Sequence, residues 1–318
     1  MSRVVYMNGA FVPESEAKLS IYDLSVMQAA AAFSMTRSFG GKTFKLVEHL
    51  ARLQRSCGLL SIPRPEPWGL DLADLCEDVV KRNDHGPGEE HRLLIVVSPG
   101  CADIYKEIEG TITHPFLYIA DFPLRFTVAG FSKYFTEGVH CTTSKVQQVP
   151  DACIPSAAKH RARLHFHLAQ QQAPAGTWPL LRDEDGYYRE APGANLMYVR
   201  NGYVYAQTNR ALPGISMATA MDLTDARVLS WTEDEAWDEL WLTGTPFCML
   251  PVVSLDGKPI GDGKIGPVYK ETLRKWSELV GVDIAGQITQ WDQQSQFQTL
   301  AEVLPSIWTP DAQRLKSN

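Results

Sequence analysis

Lys159 lies in "IPSAAKHRARLHFHLAQQQA", Ile154 to Ala173, where alanines and a few large apolar residues surround it. Read as a helix, this stretch places Ala162, Phe166, Ala169 and Ala173 on one stripe with the lysine, which then leans toward a packed face. Burial disfavours an ammonium and lowers its pKa, and the resulting free amine can attack a carbonyl to form a Schiff base. Leu164 and Leu168 point the other way on the same wheel, so a solvated surface lysine is the competing reading.

Four further stretches carry chemical groups. "EHLARLQRS" puts Arg52 in the middle of an amphipathic helix, where a fixed guanidinium can grip a phosphate or carboxylate through two donors, or simply face water. "YYREAPGANLMYV" ends a hairpin strand at Glu190, a position that is solvated in most hairpins. "LPGISMATAMDL" turns through Gly214, Ile215 and Ser216 into a helix, whose unsatisfied amides and dipole suit an anion; the plain alternative makes Ser216 the N-cap. "WLTGTPFCMLPV" offers Thr243, Gly244 and Thr245 where a strand meets a loop. Arg37 is a candidate for a substrate carboxylate, with a structural ion pair as its alternative.

The elements that must hold these residues follow from hydrophobic period and turn residues. "VVYMNGAFV" predicts a hairpin about Asn8-Gly9. A strand is expected from Ala32 to Phe39 before a Gly40-Gly41 turn. Val47, Leu50, Leu53, Cys57 and Leu60 predict a helical stripe, and "LDLADLCEDVVKRN" a second helix. "HRLLIVVSPG" and "PFLYIADFPL" read as buried strands. Later hairpins turn at Asp185-Gly186 and Asn201-Gly202, and "GPVYKETLRKWSELVG" reads as an amphipathic helix. The expected organisation is a first α/β domain over residues 1–121, a linker over 122–134, a second α/β domain over 135–284 and a Gln-rich tail over 285–318.

The chain has 318 residues, 44% of them hydrophobic and 21% charged, and a net charge of −7. No run approaches the ~18 apolar residues of a membrane helix, and no Lys/Arg block offers a footprint for nucleic acid. The first residues lack the pattern of a secretory signal, so a cytoplasmic protein is expected. The six cysteines are scattered, with no pair spaced for zinc, which points to free thiols. No metal site is expected from His160, His165 and His167 in the lysine helix: the i, i+2 pair faces different sides, and no carboxylate completes a set. No G-x-S-x-G occurs, which disfavours a serine hydrolase. Gly261, Gly263 and Gly266 do spell G-x-G-x-x-G, but Pro259 and an Asp256-Gly257 turn precede them where a dinucleotide fold needs a strand.

The order and spacing of these stretches resemble the class IV aminotransferases, the fold-type IV pyridoxal-phosphate family that includes branched-chain and D-amino-acid aminotransferases and aminodeoxychorismate lyase. The likeness rests on "SIYDLSV", "RSFGGKTFKLVEHLARLQRS", the lysine before a helix, "DGYYREAPGANLMYVRNG", "LPGIS" and "LTGTPFCMLPVVSLDGKPIGDGKIGP", in that order along nearly the whole chain. It implies an α/β fold of two α/β domains with the cofactor, pyridoxal 5'-phosphate, in the interdomain cleft. It further implies that Lys159 is the Schiff-base lysine and moves a proton at the substrate Cα. Glu190 would pair with the pyridine nitrogen. Arg52, the backbone at Ile215 and Ser216, and Thr245 would hold the phosphate, and Gly244 would face the substrate. An amino donor and a 2-oxo acid are the expected substrates, and a homodimer the expected assembly. Leu164 stands where many relatives carry a tyrosine, and Met217 where they carry an arginine. A lyase of the same fold and a non-catalytic binding homologue are the alternatives.

Overall fold

Asn8 and Gly9 take φ of 44° and 106°, the positive values a two-residue hairpin turn requires, and join β1 (Val4–Met7) to β2 (Ala10–Pro13). The computed structural model describes residues 3–231 and 236–294. These residues fall into two compact units, one drawn from Met1–Phe126 and Ile154–Arg163, the other from Thr127–Cys153 and Leu164–Asn318.

The first unit continues with α1 (Leu24–Met27), β3 (Ala32–Phe39), β4 (Lys42–Thr43), α2 (Leu46–Leu59), α3 (Leu70–Arg82), β5 (His91–Ser98) and β6 (Phe116–Pro123). Its sheet runs in the order β2-β1-β6-β5-β3-β4, each pair antiparallel. Period-2 alternation divides β5 between two faces. Leu93, Ile95 and Val97 pack with Leu50, Leu53 and Cys57 of α2 and with Leu72, Cys76 and Val79 of α3. Leu94 and Val96 pack on the opposite face with Phe33 and Met35 of β3. Each such buried aliphatic side chain contributes roughly 1.5–3 kcal/mol of transfer free energy. The buried stripe of α2 starts at Leu46 rather than at Val47, which is 67% exposed. One residue is a 100° step on a helix, so Val47 falls outside the arc covered by the sheet. Asp23 caps α1 by accepting from the Ser25 amide at 2.7 Å, and Ser98 Oγ donates to its other oxygen at 2.9 Å.

Beyond α4 (Arg125–Val128), the second unit comprises α5 (Ser132–Thr136), β7 (Val139–Thr143), α6 (Leu164–Gln172), β8 (Thr177–Arg182), β9 (Tyr188–Ala191), β10 (Ala194–Arg200), β11 (Tyr203–Ala206), α7 (Ile215–Thr224), β12 (Arg227–Val228), β13 (Glu239–Gly244), β14 (Cys248–Leu255), β15 (Lys258–Pro259), α8 (Pro267–Val280) and α9 (Ile284–Gln293). Its sheet runs β12-β11-β10-β13-β14-β7-β8-β9, and β9 also pairs with β10, so hydrogen bonding returns on itself around β10, β13, β14, β7, β8 and β9. The β7–β8 pair is parallel, which requires a crossover, and that crossover carries the Lys159 segment and α6. The predicted turns at Asp185-Gly186 and Asn201-Gly202 join β8 to β9 and β10 to β11. Residues 295–318 of the expected tail lie outside the described residues. Among the described residues, no helix is long and apolar enough to cross a membrane, and all six cysteines are free thiols.

Beside the G-x-G-x-x-G run, a carboxylate of this chain occupies the N-terminus of helix α8, where a nucleotide phosphate would have to lie. Glu239 Oε1 accepts from the Val268 amide at 2.8 Å, and its Oε2 accepts from Tyr269 N at 2.8 Å and Trp241 Nε1 at 3.0 Å. A Cβ at Gly266 would overlap the Glu239 carboxyl group. Gly266→Ala should therefore cost about 1–3 kcal/mol of stability, measured by urea unfolding; an unchanged midpoint would contradict the close approach.

Candidate active site

Lys159 is not helical. The segment forms an antiparallel bridge to β3: the Phe33 amide donates to the Lys159 carbonyl at 3.0 Å, and the Arg161 amide donates to the Ala31 carbonyl at 3.0 Å. That edge of β3 is open because β4 pairs only with Ser38 and Phe39. Edge pairing thus replaces the helix expected from composition, α6 begins at Leu164, and of the supposed stripe Ala169 alone is buried. His160 belongs to the bridge, separate from His165 and His167 on α6. Burial is the main cause that pulls the His160 imidazole down to about 4.

The lysine backbone is held from its other side as well. Its amide donates to Ser56 Oγ at 3.0 Å, and that hydroxyl donates to the Arg52 carbonyl at 2.8 Å, one turn earlier on α2. The side chain is half-buried, with Nζ 4.9 Å from the centroid of the Phe33 ring. Arg52 is 3% exposed, and its Nη2 lies 3.4 Å from His49 Nδ1, which is also 3.0 Å from Ser34 Oγ. A guanidinium can only donate, so Nδ1 accepts and the imidazole is the neutral tautomer with its proton on Nε2. Burial, then the charges of Arg52, Arg92 and Lys159, hold His49 well below the usual histidine range. A neutral ring beside Arg52 orients the guanidinium without neutralising it.

Arg37, 1% exposed, stands opposite Arg92 in the β3–β5 register, so the two side chains leave the sheet on the same face, the one lined by Phe33, Met35, Leu94 and Val96. Arg37 stacks on Phe39, its Cζ 3.8 Å from the ring centroid, and donates from Nε to the Ser38 carbonyl at 3.0 Å. Arg92 has long contacts, 3.4 Å to the Thr36 carbonyl and 3.8 Å to Met35 Sδ, and its buried Nε has no partner among the described residues. Burial, and then the Arg37 charge, pull Arg92 down to about 9. The buried Arg92 Nε, with no acceptor among the described residues, can donate to a bound anion. The turn after Arg37 is tied down by Glu90, which accepts from the Ser38 hydroxyl and from the amides of Gly40 at 2.7 Å and Gly41 at 3.2 Å.

In the second unit three polar side chains stand in a row across adjacent strands. Asn195 of β10 is opposite Glu190 of β9 on one side and Thr243 of β13 on the other. Glu190 Oε1 accepts from Asn195 Nδ2 and from the Leu212 amide, both at 2.8 Å, and Asn195 Nδ2 also donates to the Leu212 carbonyl at 2.8 Å. The strand-end glutamate is therefore buried and oriented rather than solvated, at 7% exposure. Asn195 also reaches the start of α7: a Cβ at Gly214 would overlap its Oδ1. Gly214, not Ser216, is the N-cap of α7, and among the described residues no side chain caps the helix. Ser216 is buried in the first turn, and Thr219 Oγ1 donates back to the Ile215 carbonyl. Thr243 Oγ1 is buried with no partner among the described residues. Gly244 has no room for a side chain, since a Cβ would lie 2.6 Å from Phe247 Cζ, and Thr245 follows half-buried in the turn.

Each part suits one component of a phosphorylated pyridine aldehyde. An uncapped helix terminus beside glycine and a partnerless buried hydroxyl suit a phosphate. An oriented buried carboxylate suits a protonated ring nitrogen, and a positioned amine suits an aldehyde. The residues present fit pyridoxal phosphate. Ser56, His49, Arg92 and Asn195 join these residues without standing out in the sequence; only Ser56 has a signal there, being one turn from Arg52 on the same helix face.

The fold, a six-stranded antiparallel sheet with helices in one unit and strands closed in a ring in the other, is shared with solved class IV enzymes. The structure superposes with a TM-score of 0.74 on a branched-chain amino acid aminotransferase from T.th. solved with pyridoxamine 5'-phosphate, at 25% identity over 88% of this chain and 95% of that one. The family description "Amino-transferase class IV" matches residues 31–255, and the chain belongs to this family, the pyridoxal-phosphate-dependent transaminases of fold type IV. It is 27% identical to the branched-chain-amino-acid aminotransferase-like protein 1 of Arabidopsis thaliana over 88% of its own length, spanning about half, 52%, of that longer protein. It is 25% identical to the putative branched-chain-amino-acid aminotransferase of Methanocaldococcus jannaschii, over 86% of this chain and 96% of that one. The first relative is named as aminotransferase-like and the second as a putative aminotransferase, and with the family match the lyase and binding-protein readings are not favoured.

Proposed function

We propose that the chain transfers the amino group of a branched-chain or similar aliphatic amino acid to a 2-oxo acid, with Lys159 as the cofactor lysine and catalytic base. The observation that carries this reading is the fixation of Lys159 between the Phe33 amide and the Ser56 hydroxyl. Pyridoxal phosphate, when bound, supplies an aldehyde for amine condensation and a protonated ring that draws electrons from the substrate Cα. Lys159 Nζ would take the proton from the substrate Cα and hold it for return. Glu190, its carboxylate oriented by Asn195 and the Leu212 amide, would pair with the protonated ring nitrogen. Arg52, the amides of Ile215 and Ser216, and the hydroxyls of Thr243 and Thr245 bind the phosphate.

Arg37 and Arg92 bind a substrate carboxylate, and the Gly244 backbone borders the same substrate. The apolar neighbours Phe33, Met35 and Leu94 favour an aliphatic side chain over a charged one. Arg92→Leu is expected to raise KM for the substrate carboxylate roughly 10- to 100-fold, the value of one charged hydrogen-bonding partner, with a smaller change in kcat. An unchanged KM would remove Arg92 from substrate binding.

The reading is tested with L-leucine, L-valine and L-glutamate as donors and 2-oxo acids as acceptors. Parallel double-reciprocal lines are expected, because the donor leaves as its 2-oxo acid before the acceptor enters. Intersecting lines, or no amino transfer from any aliphatic donor, would contradict it. A homodimer is part of the same reading: Ile21, Val26, Met27 and Ile104 are exposed on adjacent segments that Tyr22 and Tyr105 join by stacking at 4.8 Å. Sedimentation should give twice the chain mass, and a monomer at working concentration would count against that face. The free buried thiols support a reducing, cytoplasmic location.

A further inference from the structure

Asp121 of β6 has a fully buried side chain, and two imidazoles approach the same oxygen of its carboxylate. His91 Nδ1 is 2.7 Å from Oδ2 and His85 Nε2 is 3.0 Å from it, the two rings lying 4.7 Å apart between centroids. The two approaches differ. The His91 contact is a hydrogen bond. His85 Nε2, although as close as a hydrogen bond, is buried without a hydrogen-bond partner among the described residues, and so is Asp121 Oδ1.

A ring nitrogen carries its proton or lone pair in the ring plane, on the outward bisector. A 3.0 Å approach with the wrong angle therefore directs the lone pair beside the carboxylate oxygen rather than at it. Ligand atoms around one cation have this relation: with bonds of ~2.0–2.1 Å, neighbouring ligand atoms sit about 3 Å apart, while each lone pair points at the ion. One ligand atom from each of His85, His91 and Asp121 lies within 4.8 Å of the others. A further acceptor stands nearby: Glu89, within electrostatic reach of His85, has Oε1 at 2.7 Å from Arg125 Nη1 and a buried Oε2 without a hydrogen-bond partner among the described residues.

We propose that His85, His91 and Asp121 form a binding site for one divalent cation of the zinc type, tying the loop after α3 to the start of β5 and to β6. Two imidazoles and a carboxylate suit zinc and its neighbours in the first transition row better than calcium or magnesium, which take oxygen ligands. Three protein ligands leave a fourth position for water. None of the three belongs to the residues assigned to pyridoxal phosphate, so the cation acts on the fold, stabilising the native state by mass action. Their sequence positions, 85, 91 and 121, follow no zinc motif; the β5–β6 pairing brings His91 near Asp121, and the loop after α3 adds His85.

The test is calorimetric titration of Zn2+ into the holoenzyme after dialysis against a chelator, with His85→Gln and His91→Gln alongside. One zinc per chain is expected, with affinity reduced at least about tenfold in each variant and a zinc-dependent rise in melting temperature in the wild type only. The visible cofactor band should be equal in all three proteins, which reports an intact fold. If His85→Gln fails to hold the cofactor, His91→Gln decides, since its ring is the more exposed. No stoichiometric uptake by the wild type, or wild-type affinity in a folded variant, would overturn the site.

Discussion

Lys159→Ala is expected to lower turnover by at least about 10³-fold, the combined loss of a covalent amine and of the proton carrier at Cα. The substitution is clean for a structural reason. The bonds that hold this segment run from the Phe33 amide to the residue-159 carbonyl and from the residue-159 amide to Ser56 Oγ. All are main-chain groups at position 159, so they survive removal of the side chain. The variant should fold, retain the Arg52, Ile215 and Ser216 donors for the phosphate, and bind the cofactor reversibly. Wild-type turnover in a folded Lys159→Ala protein would remove the lysine from the chemistry.

Glu190→Gln should reduce kcat by roughly 10²-fold, the scale of losing one preorganised electrostatic partner. Glutamine keeps an amide oxygen that can still accept from Asn195 Nδ2 and the Leu212 amide, the two bonds that orient Glu190 Oε1. Its other terminal atom becomes a donor, which cannot hold a proton on the ring nitrogen. Cofactor binding should persist while exchange of the substrate Cα proton with solvent slows in step with kcat. Unchanged exchange and turnover would show that the ring nitrogen does not depend on this carboxylate.

The sequence was most legible where structure is local. Asn8-Gly9 and Asn201-Gly202 announce their turns because the required backbone is nearly specific to those residues. The strand from Ala32 to Phe39 has the bounds read from its composition. The helix read through Lys159 failed because an open edge of β3, distant in sequence, captured the segment as a bridge. Ser216 lost the N-cap to Gly214 because Asn195 packs against the glycine. The ring of strands in the second unit is equally hidden: period-2 alternation marks a strand but not its partner, and the parallel β7–β8 pair spans the whole lysine crossover.

The same division holds at the candidate site. Lys159, Arg52 and Glu190 stand out by residue type within recognisable stretches. Asn195 and Thr243 join Glu190 only through the register of β9, β10 and β13, and Arg92 meets Arg37 only through the register of β3 and β5. Within their own segments Asn195 and Arg92 are each one more polar residue in an apolar strand, and Thr243 is marked only by its place where a strand meets a loop. The G-x-G-x-x-G run errs in the opposite sense, a local pattern whose glycines make room for Glu239 at a helix terminus.

The central claim is that Lys159 is the residue joined to the cofactor. Reduction of the holoenzyme with borohydride makes that link permanent, and peptide mass mapping then locates it. The account predicts one pyridoxyl phosphate per chain on the peptide containing Lys159, and no label after prior conversion of the enzyme with an excess of amino donor. Label on another lysine, or none on a yellow holoenzyme, would contradict it.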